Sequence, residues 1–270
     1  MDDKLRDILK SARRGRITVL TGAGVSAESG IPTFRGPEGY WTMGSEVYQP
    51  EEIATWAMFS RRPEDVWAWY LYRLGVCRKA APNPGHLALV RMEEALGDRF
   101  CLITQNVDNL HIRAGNRRCL EIHGNINKMR CARDCTDEVW PVPDEVWGKD
   151  RGESFTDADR RLLRCPRCGG MARPHVLLFD ECYNEIHYYL DSALNAAAQS
   201  DLLLVAGTSG ATNLPNQIVH LALHRGASLV DVNPGDNPFG ALASGQPNRF
   251  AWQAPGATAL PEIADLLCAA

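Results

Sequence analysis

The chain has 270 residues, a formal net charge of −4 and a sequence pI near 6.0. A protein that binds nucleic acid or an anionic membrane through its charge has a clustered basic excess, and this composition shows none. No apolar stretch approaches the roughly 18 residues that span a bilayer, and the first residues lack the pattern of a signal peptide. We therefore expect a cytoplasmic protein with neither nucleic acid nor membrane as a partner.

Strand-like and helical patterns alternate along much of the chain. The predicted strands are Ile17–Thr21, Arg99–Thr104, Cys119–His123, Leu202–Ala206 and Ser228–Asn233. The predicted helices are Glu51–Phe59, Pro63–Lys79, Pro84–Leu96, Glu185–Gln199 and Pro215–Arg225. This alternation is typical of an α/β protein with a Rossmann-like, doubly wound parallel sheet. In such a sheet, ligands bind beyond the carboxyl ends of the strands.

A glycine-rich turn follows the first predicted strand. Gly22, Gly24 and Ala27 fit the pattern Gly-x-Gly-x-x-Ala, in which the missing side chains let the backbone approach a pyrophosphate. A tight strand-to-helix turn without a ligand fits the same residues about as well. A dehydrogenase would also carry an acidic residue at the end of its second strand, and none is apparent there.

The segment 127–173 interrupts the alternation and contains two close cysteine pairs. Cys131 and Cys135 are separated by three residues, and Cys165 and Cys168 by two. Four thiolates in two pairs suit tetrahedral zinc and leave no open position for water, so the metal should be structural and its removal should unfold the segment. The alternative is four unrelated cysteines in a reducing compartment.

These patterns predict a division of the chain into two parts. Residues 1–126 and 174–270 would form the Rossmann-like domain, with a helical cap at about residues 40–80, and residues 127–173 would form an inserted zinc-binding module.

Polar side chains follow the predicted strands. Gln105, Asn106 and Asp108 come after the second strand and suit ribose hydroxyls and a carboxamide. His123 ends the third strand, where an imidazole near neutral pH can transfer a proton. A packing histidine and a polar turn capped by its own side chains are the alternatives.

Four motifs in chain order resemble the sirtuins. They are Gly22-Ala23-Gly24-Val25-Ser26-x-x-Ser29-Gly30-Ile31-Pro32-x-Phe34-Arg35, Thr104-Gln105-Asn106-Val107-Asp108-x-Leu110-His111, His123-Gly124 and Gly207-Thr208-Ser209. The resemblance runs from about residue 15 to the C-terminus. It implies an NAD-consuming protein lysine deacylase that produces nicotinamide, O-acyl-ADP-ribose and the free lysine, and whose partners are acyl-lysine proteins or peptides.

The resemblance also implies roles for individual residues. His123 matches the general base that acts on a ribose hydroxyl of NAD, and Asn106 and Asp108 match catalytic residues at the nicotinamide end. The implied contacts with NAD are Gly22, Ala23, Gly24, Ser26, Glu28, Thr33, Phe34, Arg35, Gln105, Asn106, Asp108, Gly207, Thr208, Ser209, Asn233 and Ala257.

Two residues of the second helix concern the acyl group. Tyr70 and Arg73 are three apart and so share a helix face, and an arginine can bind a carboxylate through two parallel hydrogen bonds. The pattern resembles the sirtuin subgroup that removes succinyl and malonyl groups, and Thr33 in place of aspartate fits that subgroup. The alternative is that Arg73 is a solvated helix charge and Tyr70 a core aromatic.

The segment Arg173–Glu181 resembles the strand that pairs with the substrate peptide, which implies substrate contacts at Val176 and Phe179. Asp180 stands where the family usually has glycine. Its side chain and charge are expected either to alter which acyl-lysine peptides dock or to leave a weak activity on peptides.

Two other functions use the same features. An NAD glycohydrolase or ADP-ribosyltransferase needs the same crevice and a different nucleophile. A non-catalytic NAD-sensing module needs the crevice alone. The sequence leaves the protein targets, the physiological acyl group and the oligomeric state open.

Overall fold

The computed structural model describes residues 2–33, 50–146, 149–150 and 153–269. Its strands, numbered along the chain, are β1 Ile17–Thr21, β2 Phe100–Thr104, β3 Cys119–Glu121, β4 Gly124–Cys131, β5 Val139–Pro141, β6 Ala172–Val176, β7 Leu202–Ala206, β8 Ser228–Val232 and β9 Arg249–Trp252. Its α-helices are α1 Asp3–Ala12, α2 Gly24–Ala27, α3 Pro50–Ile53, α4 Trp56–Arg61, α5 Pro63–Lys79, α6 Pro84–Leu96, α7 Leu110–Ala114, α8 Asp157–Leu162, α9 Glu185–Tyr188, α10 Leu190–Ala198, α11 Asn213–His224, α12 Pro238–Ala243 and α13 Gly256–Cys268.

A parallel sheet in the order β3-β2-β1-β7-β8-β9 forms the centre of the molecule. Counted within this sheet, the strands follow the order 3-2-1-4-5-6 of the doubly wound fold, so the predicted Rossmann-like α/β class is confirmed. The order reverses between β1 and β7. Ligands of such sheets bind at this switch point, beyond the carboxyl ends of the strands.

Helices cover both faces of this sheet. On β1, Ile17 and Val19 face the core that contains residues of α1, α6 and α13, whereas Leu20 faces the core with residues of α10, α11 and α12. Strands buried on both faces have near-continuous apolar sequences, which is why β1 and β7 are recognisable from sequence.

The cap and the cysteine segment share one hydrophobic core. Strands β5, β4 and β6 form a small antiparallel sheet, and α5 packs against β4 and β6. Trp67 of α5 is 1% exposed and donates its indole N–H to the carbonyl oxygen of Ala172 on β6, 2.8 Å away. The cap therefore packs directly on the small sheet, and the domain limits given above remain a prediction.

Several predicted elements differ in detail from the structure. The strand β9 and the helices α1 and α12 were not predicted. The predicted helix Glu185–Gln199 is interrupted at Tyr189, whose φ of 54° is left-handed, and Thr55 caps α4 so that it starts separately from α3. No helix among the described residues is long and apolar enough to cross a bilayer.

Candidate functional site

Loops from five parallel strands meet at the carboxyl edge of the central sheet. The backbone N–H groups of Gly22, Gln105 and Gly207 donate to the last residues of neighbouring strands, at 2.9, 3.0 and 2.9 Å. His123 follows β3 and Asn233 follows β8 at the same edge. The predicted strand-end residues are therefore brought together.

Gly22 and Gly24 leave room for a second loop of the protein. A Cβ atom on Gly22 would lie 2.7 Å from Cβ of Thr208, and one on Gly24 would lie 2.7 Å from Cα of Gly207. Gly207 itself has a φ of +63°, and a Cβ there would lie 2.4 Å from the backbone nitrogen of Val25. Glycine is therefore required at these positions because the two loops touch each other. The spacing of Gly22 and Gly24 by itself predicts a different reason, room for a pyrophosphate.

Polar side chains cross-link the loops on the β7 side. The Gln105 amide donates to the Thr208 hydroxyl at 2.8 Å, and the Asn233 amide donates to the Thr208 carbonyl oxygen at 2.9 Å. Thr208 is 4% exposed, and Ser209 follows it. These predicted NAD contacts hold one another in place before any ligand arrives.

Ser26 joins Asp108 and Asn106 in a buried group. The Ser26 hydroxyl donates to Oδ2 of Asp108 at 2.7 Å and accepts from the Asn106 amide at 3.1 Å. Oδ1 of Asp108 accepts the backbone N–H of Leu110 at 2.8 Å. Burial raises the pKa of Asp108, and its hydrogen bonds to Leu110 and Ser26 oppose the rise. The predicted nicotinamide-end residues therefore lie together.

Two histidines without a predicted role line the same region. Nε2 of His86 lies 3.4 Å from the Ser26 hydroxyl, and Nε2 of His111 lies 3.0 Å from the Thr21 hydroxyl. Their ring centroids are 4.8 Å apart. Burial lowers the pKa of both rings, that of His86 to about 4. His111 belongs to the quoted second motif, whereas only contact with Ser26 identifies His86.

His123 is a neutral imidazole held at both nitrogens. Its Nδ1 lies 3.0 Å from the backbone oxygen of Gln105, and its Nε2 lies 2.8 Å from the hydroxyl of Tyr183. Burial lowers its pKa to about 4, while the hydrogen bond with Gln105 opposes the shift. The side chain is therefore unprotonated at neutral pH, as a general base must be. Tyr183 carried no sequence signal.

The remaining predicted cofactor contacts lie at several separate places. The carboxylate of Glu28 accepts the backbone N–H of Ala257 at 2.8 Å, so these two residues bind each other at the start of α13. Ala23 precedes α2, and Thr33 is half-buried. Phe34 and Arg35 lie outside the described residues.

The four predicted metal ligands converge. The Sγ atoms of Cys131, Cys135, Cys165 and Cys168 all lie within 4.8 Å of one another. The sulfur pairs Cys131–Cys168 and Cys135–Cys165 are 3.7 and 3.5 Å apart. Tetrahedral zinc with Zn–S bonds of about 2.3 Å places its sulfurs about 3.8 Å apart, so the donor set fits a structural zinc ion.

The predicted acyl-group residues are buried in the cap. Tyr70 is 2% exposed and Arg73 is 4% exposed, and the guanidinium of Arg73 lies 4.5 Å from the ring centroid of Trp69. Arg73 is buried, so the alternative that it is a solvated helix charge is wrong. Tyr70 is a core aromatic, as the same alternative expected.

Val176, the last residue of β6, is buried, and Phe179 in the segment after it is 50% exposed. Asp180 does not extend away from the protein: its carboxylate accepts the backbone N–H groups of Trp56 and Ala57 at 2.6 and 3.0 Å. An acidic group at the first turn of a helix is favourable. Asp180 thus ties this segment to the start of α4.

Known proteins of one family are similar to this chain. A model of the Sir2 family matches residues 22–213. An NAD-dependent protein deacylase of Leptospira interrogans is 40% identical over 225 residues, which are 83% of each chain. One of Thermus thermophilus is 40% identical over 244 residues, which are 89% of this chain and 87% of the relative.

Solved structures of Sir2 proteins superpose on nearly the whole chain. The crystal structure of a Sir2 homologue with NAD has 33% identity and a TM-score of 0.78, covering 99% of this chain and 94% of its own. A Sir2 variant with a deacetylated p53 peptide and 3′-O-acetyl ADP ribose has 26% identity and a TM-score of 0.73, covering 98% and 96%.

We expect a strong chelator to remove one zinc ion per chain and to unfold the small sheet, because metal binding supplies much of the folding free energy of such sites. Since Trp67 packs on β6, its fluorescence should change on chelation. Cys168→Ser should lose the metal, and Cys182→Ser, which alters an exposed cysteine outside the cluster, should retain it. Equal zinc content in both variants would contradict the assignment.

We expect His86 to make the fold less stable in mild acid. Its folded pKa of about 4 lies below the ordinary 6.5, so the folded state binds fewer protons than the unfolded chain between these values. Its contribution is complete above pH 6.5 and is lost as the pH falls, by about 2 kcal/mol at pH 5.

Urea titrations at pH 7 and pH 5 measure this loss. His86→Gln should lose less free energy of unfolding than the unsubstituted protein over that interval, and the exposed His224→Gln should behave like the unsubstituted protein. The same pH dependence in all three proteins would disprove the role of His86.

Proposed function

The chain belongs to the Sir2 family, and we propose that it removes carboxylate-bearing acyl groups, such as succinyl or malonyl, from protein lysines in an NAD-consuming reaction. The coarser activity rests on family membership, because the curated relatives are named NAD-dependent protein deacylases. The protein is an NAD-dependent protein deacylase. The choice of acyl group is the finer proposal.

The arrangement of side chains at the carboxyl edge of the sheet supports this proposal. We propose that NAD lies across the loops after β1, β2, β7 and β8, with its nicotinamide end at Ser26, Asn106 and Asp108. The loops of Gly22 and Gly207 and the side chain of Asn233 would hold the phosphate and adenosine side. The side chains already form mutual hydrogen bonds, so little ordering remains for binding.

The bond between nicotinamide and ribose is activated in NAD itself, so the protein must mainly position the reactants. The acyl oxygen attacks the ribose carbon as nicotinamide leaves. His123, neutral at the working pH, then takes a proton from a ribose hydroxyl, and that oxygen accepts the acyl group. The products are O-acyl-ADP-ribose and the free lysine.

The type and position of the Arg73 side chain carry the proposed acyl preference. A planar guanidinium binds a carboxylate through two parallel hydrogen bonds, which suits the distal carboxylate of a succinyl or malonyl group. The Arg73 guanidinium lies 4.5 Å from the ring centroid of Trp69 and 5.9 Å from that of Tyr70, so it stands beside the tyrosine with which it is proposed to bind the acyl group. Val107, adjacent to Asp108, belongs to the same hydrophobic core as Tyr70.

Asp180 bears on how the peptide docks. Because its carboxylate is bound to the first turn of α4, the charge is directed at the cap and away from a peptide that would pair with residues 176–179. We propose that Val176 and Phe179 contact the acyl-lysine peptide through this segment, with the exposed Phe179 ring available to it.

Two rival functions are separated by their products. NAD hydrolysis or ADP-ribosyl transfer would give ADP-ribose or an ADP-ribosylated protein without an acyl peptide. A non-catalytic NAD-binding module would give no product at all. Mass spectrometry after incubation with NAD and acyl-lysine peptides distinguishes the three.

We expect Arg73→Met to lower kcat/KM for a succinyl-lysine peptide by about 10- to 100-fold, the value of a charged hydrogen-bonding pair, and to leave that for an acetyl-lysine peptide within a few fold. Methionine keeps the apolar length of the side chain, so loss of the carboxylate partner is the main change. The measurement is peptide turnover followed by mass spectrometry.

Lys79→Met is the matched control, because it removes a cation from an exposed position of the same helix. It should leave both activities unchanged. If Arg73→Met and Lys79→Met give the same ratio of succinyl to acetyl turnover, the carboxylate role of Arg73 is wrong.

A further inference from the structure

Two hydrogen bonds hold the loop after β2 against the start of β4, one on each side of Asp108. The backbone N–H of Ile126 donates to the carbonyl oxygen of Val107 at 2.8 Å. The side-chain Nδ2 of Asn125 donates to Oδ1 of Asn109 at 2.8 Å. The residue before Asp108 and the residue after it are therefore both bound to the same two positions of β4.

Asn125 has a partner for each end of its amide. It is fully buried, and the backbone N–H of Asn127 donates to its Oδ1 at 2.9 Å. A backbone N–H can only donate, so Nδ2 faces Asn109 and also Oε1 of Glu121, 2.5 Å away. The other oxygen of Glu121 accepts from Nζ of Lys128 at 2.7 Å. Asn125 cannot rotate without losing these contacts, so it offers Asn109 a donor at a fixed place.

Asn109 has an unfavourable backbone conformation. Its φ is 69° and its ψ is 9°, in the left-handed region, which costs a residue with a side chain about 1 kcal/mol or more and persists only where neighbours enforce it. The next residue begins α7, and Oδ1 of Asp108 accepts the backbone N–H of Leu110 at 2.8 Å. The left-handed turn at Asn109 thus lies between Asp108 and the helix that Asp108 caps.

The stability of the fold does not explain this arrangement. Burial raises the pKa of Asp108, and the nearby charge of Glu121 raises it further, so the two carboxylates repel each other. Glu121 is itself only 6% exposed. A left-handed residue with a side chain and a buried carboxylate near a second one both cost folding free energy. Both costs fall beside Asp108, whose position they help to define.

We propose that Asn125 is a positioning residue for the reaction: it holds Asn109 in the left-handed conformation and thereby fixes Asp108 at the nicotinamide end of NAD. His123 lies two residues before Asn125, so one short stretch of chain carries the base and places the carboxylate. The role of Asp108 rests on the proposed function. The loops proposed for the adenosine side are not bound to Asn125, so its influence is confined to the nicotinamide end.

Asn125→Leu removes the hydrogen bonds of the side chain and keeps its approximate size. We expect it to slow nicotinamide release from NAD in a single turnover with an acyl-lysine peptide by about 100-fold, the scale for a reacting group displaced by about 1 Å. The affinity for carba-NAD, in which a ring carbon replaces the ribose oxygen and prevents cleavage, should fall about 10-fold, the value of a lost hydrogen bond. Calorimetry should give an affinity for ADP-ribose, which lacks nicotinamide, within about twofold of the unsubstituted protein, because distant sites act independently.

Asn116→Leu is the matched control. Asn116 is also a buried asparagine, and its Nδ2 donates to the carboxylate of Glu93 at 2.7 Å, but it precedes β3 at the opposite edge of the sheet. The variant should lose stability to urea and keep the rate of nicotinamide release and both affinities.

Substitution of Asn109 separates its conformation from its side chain. Glycine adopts a positive φ without help, so Asn109→Gly combined with Asn125→Leu should release nicotinamide about 10-fold faster than Asn125→Leu alone. Alanine also lacks the hydrogen bond but disfavours the left-handed region, so Asn109→Ala should be slow where Asn109→Gly is not. If Asn125→Leu shows no cooperative urea transition, the comparison of Asn109→Ala with Asn109→Gly decides.

Three results would overturn the proposal. An equal loss of affinity for carba-NAD and ADP-ribose in Asn125→Leu would make the defect structural. A double variant as slow as Asn125→Leu, or equal rates for Asn109→Ala and Asn109→Gly, would exclude an effect through Asn109. Failure of the proposed function is a different result, the absence of succinyl- or malonyl-lysine turnover by the unsubstituted protein, and the binding comparison tests Asn125 in that case too.

Discussion

The contact between the loops after β1 and β7 is the constraint on which the site depends. At Gly24 and Gly207 the backbones of the two loops approach so closely that a Cβ atom on either glycine would overlap the other loop. This approach draws Ser26 toward Asp108 on one side and Thr208 toward Gln105 on the other. A single steric requirement thus sets the spacing of both polar groups, Ser26 with Asp108 and Gln105 with Thr208.

The cap is held by different contacts. Helix α5 packs on the small sheet, where the indole N–H of Trp67 donates to the carbonyl oxygen of Ala172. Arg173 of β6 binds Glu181, and the Arg173 guanidinium also lies 5.1 Å from the ring centroid of Trp56 in α4. The cysteine segment, the segment after β6 and the helix that carries Arg73 therefore share one core, so a disturbance at the cysteines should reach Arg73.

Burial shapes the chemistry of the crevice more than charge does. Loss of hydration is the first cause of the lowered pKa values of His86, His111 and His123, and all three rings are neutral in the folded protein. A neutral His123 can accept a proton, but a buried imidazolium needs an acceptor for the proton it gains. The phenol oxygen of Tyr183, 2.8 Å from Nε2, can accept that proton without a second buried charge.

The sequence by itself determined the parallel sheet, the family motifs and the four metal ligands, because continuous apolar strands and short ligand spacings are local properties. It missed β9, whose edge position leaves it only partly buried, and the break at Tyr189, since a left-handed residue carries no periodic signal. Only the tertiary structure decided that Asp180 binds α4, that Glu28 binds Ala257, and that the Tyr183 hydroxyl contacts Nε2 of His123. These contacts join residues 60 or more positions apart, and their distances and directions follow from how the loops pack, which no local pattern encodes.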